Sequence, residues 1–303
     1  MSERTDVYQR VTNQIIEAIE NGTGEWERPW NSDHAASRMP VNVTTGKSYR
    51  GVNVLSLWSS AFSKAYVGNK WGTFKQWSDM GCAVRRGEKS TTGVFWKDVN
   101  QSQDQAQGSE QEEGRTRRIL ASAFALFHSD QVDGFEPEPE KKKSPFERVV
   151  RADAFFGSVP VKIVHLKDMP FYDLKSDLVN MPRPETFKDA ISYYSTLAHE
   201  ATHWTGHPSR LAREMQHRFG DEQYAAEELI AELGAAFIAA DLELEADPRV
   251  ENAPYIQSWL RILKSDKYAI FNAAGHAQRA ADFLHQFQSA APVLKRTSPA
   301  PAP

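Results

Sequence analysis

The sequence predicts an α+β protein built in two parts. A small basic domain over residues 1–140 precedes a mainly helical domain over residues 141–290. Three observations carry that reading. Residues 41–99 form a basic, aromatic-rich stretch unlike the rest of the chain, and the front part holding them is expected to be a small sheet flanked by helices. Residues 136–145, Glu-Pro-Glu-Pro-Glu-Lys-Lys-Lys-Ser-Pro, have the composition of a linker, and residues before proline favour extended backbone, so no helix should cross them. From Glu185 onward apolar residues recur at helical spacing. A length of 303 residues also suits two domains better than one core.

The elements follow in order. Val7, Val11, Ile15, Ile16 and Ile19 predict a helix over residues 4–21, which Asn21-Gly22 ends. Trp26-Glu-Arg-Pro-Trp30 reads as a loop. Trp58, Phe62 and Tyr66, spaced by four, read as the inner face of a helix, and Trp71, Phe74 and Trp77 read as a similar core face. Residues 98–114 are polar, acidic and low in complexity, and are expected to form a mobile loop. The apolar run Ile119–Phe127 reads as a strand returning to the front domain. A second strand is expected over Val159–His165, beside helices at 185–204, 222–243, 253–265 and 267–287. The tail, residues 291–303 with its Pro-Ala-Pro-Ala-Pro ending, should be disordered.

Composition removes several classes of function. No run approaches the length of a membrane-spanning helix, so no membrane partner is expected. The polar start lacks the apolar segment of a secretory signal. Cys82 is the single cysteine, which rules out an internal disulfide. A cytoplasmic protein is expected. The net charge of −4 conceals an asymmetry: residues 41–99 hold nine cations against Asp79, Glu88 and Asp98.

The chemistry is most legible at His199-Glu200-Ala201-Thr202-His203. On a helix, residues four apart share a face, so His199 and His203 can grip one metal ion. Glu200 then lies beside the ion without being needed as a ligand. There it can take a proton from an attacking water and return it to a leaving amine. With nine histidines, chance would give such a motif in roughly two chains per hundred, so a second signal is required. Glu227, Glu228 and Glu232 supply it, because carboxylates in an otherwise apolar helix are seldom buried without partners. Glu228 is assigned as the third ligand. Glu232, one turn on, is placed to accept a hydrogen bond from a ligand histidine. The competing arrangements put Glu227 and Glu232 in water, or recruit His207 or His217. Two histidines and a carboxylate favour zinc, and manganese, cobalt or nickel also fit.

The front half suits single-stranded DNA. Phosphates need positive charge and unpaired bases need flat side chains, whereas duplex readers use motifs that do not occur here. The candidate contacts are Lys47, Tyr49, Arg50, Lys70, Trp71, Lys75, Arg85, Arg86 and Lys89. Tyr49-Arg50-Gly51 and Arg85-Arg86-Gly87 set cations beside glycines, where backbone can approach a phosphate.

Several separated segments carry a resemblance. Pro40-Val-Asn-Val-Thr-Thr-Gly-Lys-Ser-Tyr-Arg-Gly-Val-Asn-Val-Leu, Trp71-Gly-Thr-Phe-Lys-Gln-Trp, Gly81-Cys-Ala-Val-Arg-Arg-Gly-Glu-Lys and Phe127-His-Ser-Asp-Gln-Val-Asp-Gly resemble the N-terminal domain of ArdC-type antirestriction proteins. TraC-like plasmid primases share that domain. His199-Glu-Ala-Thr-His-Trp-Thr-Gly-His-Pro-Ser-Arg-Leu, Tyr224–Phe237, Tyr255-Ile-Gln-Ser-Trp-Leu and Ala273-Ala-Gly-His-Ala-Gln resemble the family's zincin-like metallopeptidase domain. The likeness runs over about residues 5–287 and excludes the 98–114 segment and the proline tail. It implies a plasmid-borne protein that binds single-stranded DNA and protects incoming conjugative DNA from restriction. It also implies that His199, His203 and Glu228 hold a metal, with Glu200 in the general-base position. Two other readings remain open: an active protease that DNA tethers to a target such as a host restriction enzyme, and a pure binding module whose metal is structural.

Overall fold

The computed structural model describes residues 6–21, 38–98, 119–137, 143–215, 222–244 and 253–288. The predicted Trp26–Trp30 loop, the 98–114 loop apart from Asp98, the middle of the 136–145 linker and the 291–303 tail lie outside these residues.

The protein is α+β. In the front half, α1 (Val7–Asn21) buries Val11, Ile15, Ile16 and Ile19, the stripe its sequence predicts. The second helix, α2 (Val52–Ser63), buries Val54, Leu55, Leu57 and Trp58. A capping box of Thr73 and Gln76 starts the short α3 (Phe74–Asp79). These helices surround a sheet in the order β1-β2-β5-β4, comprising β1 (Val41–Asn42), β2 (Lys70–Gly72), β4 (Thr91–Asp98) and β5 (Ile119–His128). The expected returning strand is β5. It lies antiparallel to both β2 and β4, with Thr91 opposite Leu126 and Lys97 opposite Leu120. A two-stranded ribbon of β3 (Ala83–Val84) and β6 (Val132–Asp133) sits beside it.

The back half opens with α4 (Pro145–Ser158), a helix absent from the sequence-based expectation. Its start is written in Ser144-Pro145-Phe146-Glu147, a capping box with proline in the first turn. A small sheet, β7 (Lys162–Val164), β9 (Leu178–Asn180) and β8 (Phe171–Asp173) in that spatial order, flanks α5 (Ala190–Thr205). Asp189 caps α5 by accepting from the Ser192 amide, so the helix begins later than the predicted Glu185, and residues 184–186 form a single 3-10 turn. Three further helices follow: α6 (Glu222–Leu242), α7 (Ala253–Ser265) and α8 (Ala269–His285). The sixth helix is apolar around its circumference and is buried accordingly, packed by α4, α5, α7 and α8.

The core ignores the predicted boundary at residue 140. One apolar cluster joins Val11, Ile15, Val54, Leu55 and Trp58 of the front half to Leu197, Phe237, Trp259 and Ile270 of the back half. The Trp58 ring lies 5.8 Å from that of Phe237. At the surface, the Gly51 amide donates to Gln278 at 3.0 Å, and Arg50 pairs with Asp282.

This shared core predicts one cooperative unfolding transition. Phe237→Ala, deep in the back half, should remove about 3–5 kcal/mol from the whole chain. Urea denaturation read through probes in each half would show both shifting together. Two transitions, with only the later half affected, would mean independent domains.

Candidate metal centre

Two helices build the centre, and one contact sets their distance. At Gly234 of α6, a Cβ atom would lie 2.5 Å from the Thr202 side chain of α5, so only glycine admits this approach. The close crossing turns the His199–His203 face of α5 toward the Glu228–Glu232 face of α6.

The resulting geometry is consistent around the cluster. His199 Nε2 lies 3.5 Å from one oxygen of Glu228, and His203 Nε2 lies 3.5 Å from the other. The opposite ring nitrogens face outer carboxylates. His199 Nδ1 is 3.5 Å from Glu232, and His203 Nδ1 is 3.1 Å from Glu227. Glu227 is hydrogen-bonded to His203 Nδ1 and Glu232 faces His199 Nδ1 at 3.5 Å, so both rings turn Nε2 inward, and carboxylates on that side are what fix the tautomer of metal-binding histidines. Ligand atoms of His199, His203 and Glu228 all lie within 4.8 Å of one another, and this is the only such cluster among the described residues. The donor set fits a divalent ion. Glu200 follows His199 on α5 and is also buried.

Glu227 takes a place the sequence did not suggest. Its carboxylate is buried and held by Arg213, whose Nε and Nη2 donate at 3.0 and 2.8 Å to its two oxygens. Arg213 also donates to the Thr202 carbonyl at 2.7 Å and the Thr205 hydroxyl at 2.8 Å, tying the chain after α5 back onto that helix. Neither Glu227 nor Glu232 is in water, so that competing arrangement fails. The alternative ligand His207 lies outside the cluster, with Nδ1 2.7 Å from the Ser209 hydroxyl, and His217 lies outside the described residues. Nearby, Arg210 stacks on Trp204 and pairs with Asp177, pinning the small sheet beside α5.

Charge follows this geometry. Burial alone would push the Glu228 carboxyl up, but hydrogen bonds from His199 and His203 outweigh it and hold the group well below the usual carboxylate range. Glu227 is likewise lowered against its burial by His203 and Arg213. Burial opposes a charge on His203, yet Glu227 and Glu228 raise it to about 10.

The candidate DNA contacts do not converge in this way. Trp71 is 1% exposed and packs with Leu57, Ala61 and Leu126, so it presents no face to a base. It lies on β2 rather than on a helix with Trp77, and Phe74, grouped with them in sequence, is exposed. Tyr49 is half-buried, its hydroxyl accepting from Asn42 at 3.1 Å. Arg50 pairs with Asp282, Lys75 with Asp79 at 2.8 Å, and Arg85 with Glu88 at 3.1 Å. Lys47, Arg86 and Lys89 are exposed, and Lys70 is partly buried.

Comparison with known proteins sets this geometry in context. Residues 5–127 match the N-terminal domain of anti-restriction factor ArdC, and residues 150–276 match the zincin-like metallopeptidase family MPTase-PolyVal. The chain is 44% identical over 287 residues to the uncharacterized protein y4eC of Sinorhizobium fredii (strain NBRC 101917 / NGR234), covering 94% of this chain and 93% of that one. It is 34% identical over 299 residues to a DNA primase TraC of Escherichia coli, covering 93% of this chain and 27% of the primase. A second Escherichia coli TraC is 33% identical, with 95% of this chain and 20% of that protein covered. Among solved structures, the metal-free antirestriction protein ArdC from plasmid R388 aligns with a TM-score of 0.73 and 39% identity, over 93% of this chain and 97% of that one. The Mn(II)-bound form of the R388 protein aligns with a TM-score of 0.73 and 38% identity, over 93% and 98%.

The Arg213–Glu227 pair can be tested apart from any metal. Arg213→Ala leaves a buried carboxylate with one partner removed and should cost about 3–5 kcal/mol in chemical denaturation. Arg213→Met combined with Glu227→Gln should recover part of that loss. A single variant as stable as the parent would show that the pair does not hold the chain after α5.

Proposed function

The chain belongs to the ArdC antirestriction family, and from that premise we propose that it is an antirestriction protein that binds single-stranded DNA and shields entering plasmid DNA from host restriction. The observation that carries this reading is the match to the solved R388 ArdC over 93% of this chain and 97% of that one, at 39% identity. The excess of cations over acids in residues 41–99 supports it, since phosphate contacts need that charge. The primase activity of the TraC relatives belongs to proteins of which this chain spans 27% and 20%, and it is not part of the proposal. No described helix is long and apolar enough to cross a membrane. The proposed site of action is the cytoplasm, where entering single strands are exposed.

The metal reading extends the proposal. His199, His203 and Glu228 would hold one divalent ion, with zinc suited to the donor set and manganese bound by the solved relative. Such an ion supplies a Lewis acid. Within the chain, Glu227 bonds His203 Nδ1, Glu232 faces His199 Nδ1, and Glu200, buried and next to His199 in sequence, would hold and move a proton at its carboxylate. The presence of a buried Glu200 next to His199 favours a second reading, in which the protein is an active peptidase brought to its protein targets by DNA.

Three measurements test these claims. Intact protein titrated with single-stranded and duplex oligonucleotides at two salt concentrations should prefer the single strand and bind more weakly at high salt. Absent binding, or equal binding to both forms, ends the DNA reading. Glu228→Ala should abolish tight Mn(II) or Zn(II) binding in calorimetry, and Glu232→Gln should weaken it by about 10–100-fold. Glu200→Gln, with the metal ligands intact, separates the two functions in a conjugation assay against a restricting host. Lost protection supports the peptidase, and full protection supports the DNA binder.

A further inference from the structure

The front half carries an aromatic surface that the candidate contacts above do not include. Pairing of β4 with β5 sets Gly93 opposite Phe124, Phe95 opposite Ser122 and Lys97 opposite Leu120, all on one face of the hairpin. Burial fades along that face. Thr91 and Leu126 are buried at one end, whereas at the other Phe95 is 37% exposed and Leu120 58%. A solvent-facing sheet surface is normally polar, so an exposed phenylalanine and leucine there need a reason.

The local construction is specific. A Cβ at position 93 would lie 2.5 Å from the Phe124 ring, so glycine gives Phe124 room to lie across β4. Phe95 packs edge-on against Phe124, with ring centroids 5.8 Å apart. Lys97 Nζ lies 5.3 Å from the centre of the Phe95 ring. The result is a fixed aromatic pair with a cation at its rim.

The edge of the strand narrows the choice of occupant. Asn53 accepts from the Val94 amide at 2.7 Å and donates to its carbonyl at 2.8 Å, and the Ser56 hydroxyl donates to the Thr92 carbonyl at 2.8 Å. A peptide adding to the sheet would need these groups, so the edge is closed to it as far as Val94. What remains open is a face of aromatic rings and positive charge, which suits bases and phosphates.

We propose that bases of single-stranded DNA stack on the Phe95–Phe124 pair, with Lys97 contacting the phosphate backbone. The assignment rests on the DNA-binding reading and names its surface. It replaces buried Trp71 as the stacking group.

Binding of a labelled single-stranded oligonucleotide to full-length variants tests it, with thermal melting to show that each variant folds. Phe95→Leu keeps apolar packing but removes the ring, and should weaken binding about tenfold or more. Lys97→Gln should reduce the steepness of the salt dependence by about 0.7. An oligonucleotide with abasic positions should bind the parent as weakly as the intact strand binds Phe95→Leu. Parent-like affinity in both variants, while the parent itself binds, overturns the assignment and leaves the DNA reading standing. A loss in Trp96→Ala with none in Phe95→Leu would place the bases on the opposite face of β4 and also overturn it. A parent protein that binds no single strand removes both.

Discussion

Three carboxylates lie within two turns of a helix that is buried on nearly every side, and each has to meet a cation or donor. An unpartnered carboxylate at that depth would not remain charged. Glu228 meets both Nε2 atoms, Glu232 meets His199, and Glu227 meets His203 and Arg213. This requirement organises the back half. It brings α5 against α6 at Gly234, directs both imidazoles inward, and folds the chain after α5 back so that Arg213 reaches Glu227. The charge of the centre and the packing of the helices are one solution to the same problem.

The front half depends on that solution through the shared core. The inner faces of α1 and α2 close on the helices that frame the centre, and the Arg50–Asp282 and Gly51–Gln278 contacts tie a front-half turn to α8. The sheet surface on β4 and β5 points away from this junction in composition as well as in position. Phe95 is exposed there and Phe124 partly so, whereas the front-half tryptophans Trp58, Trp71 and Trp77 are consumed by packing.

How much of this was legible varies with the physics of each element. The His199–His203 pair follows from helical spacing, and Glu228 and Glu232 follow from the cost of placing carboxylates in an apolar helix. The structure puts these groups together. Arg213 carried no such sign, because its partner is set by how a loop folds back, which no local periodicity encodes. Glu227 meets the same criterion as its neighbours, but it falls outside the four-residue spacing that sets Glu228 and Glu232 on one face, so its partner is not legible from the helix alone. Trp71 could not be read, since a buried and a stacking tryptophan occupy the same kind of sequence. The start of α4 is legible in its capping box, and Val149, Ala152, Phe155 and Phe156 recur at helical spacing, so both its start and its inner face are written in the sequence. The boundary at residue 140 reflected composition, which says nothing about which faces of α1 and α2 find partners in the later helices.

The joined core also sets a schedule for folding during synthesis. Trp58 leaves the ribosome about 180 residues before Phe237, against which it packs. At 5–20 residues per second, the apolar faces of α1 and α2 wait roughly 10–40 s for the helices that cover them. Over that interval the nascent front half exposes Val11, Ile15, Leu55 and Trp58 together. The front half therefore completes its fold only after α5, α6 and α8 have been translated.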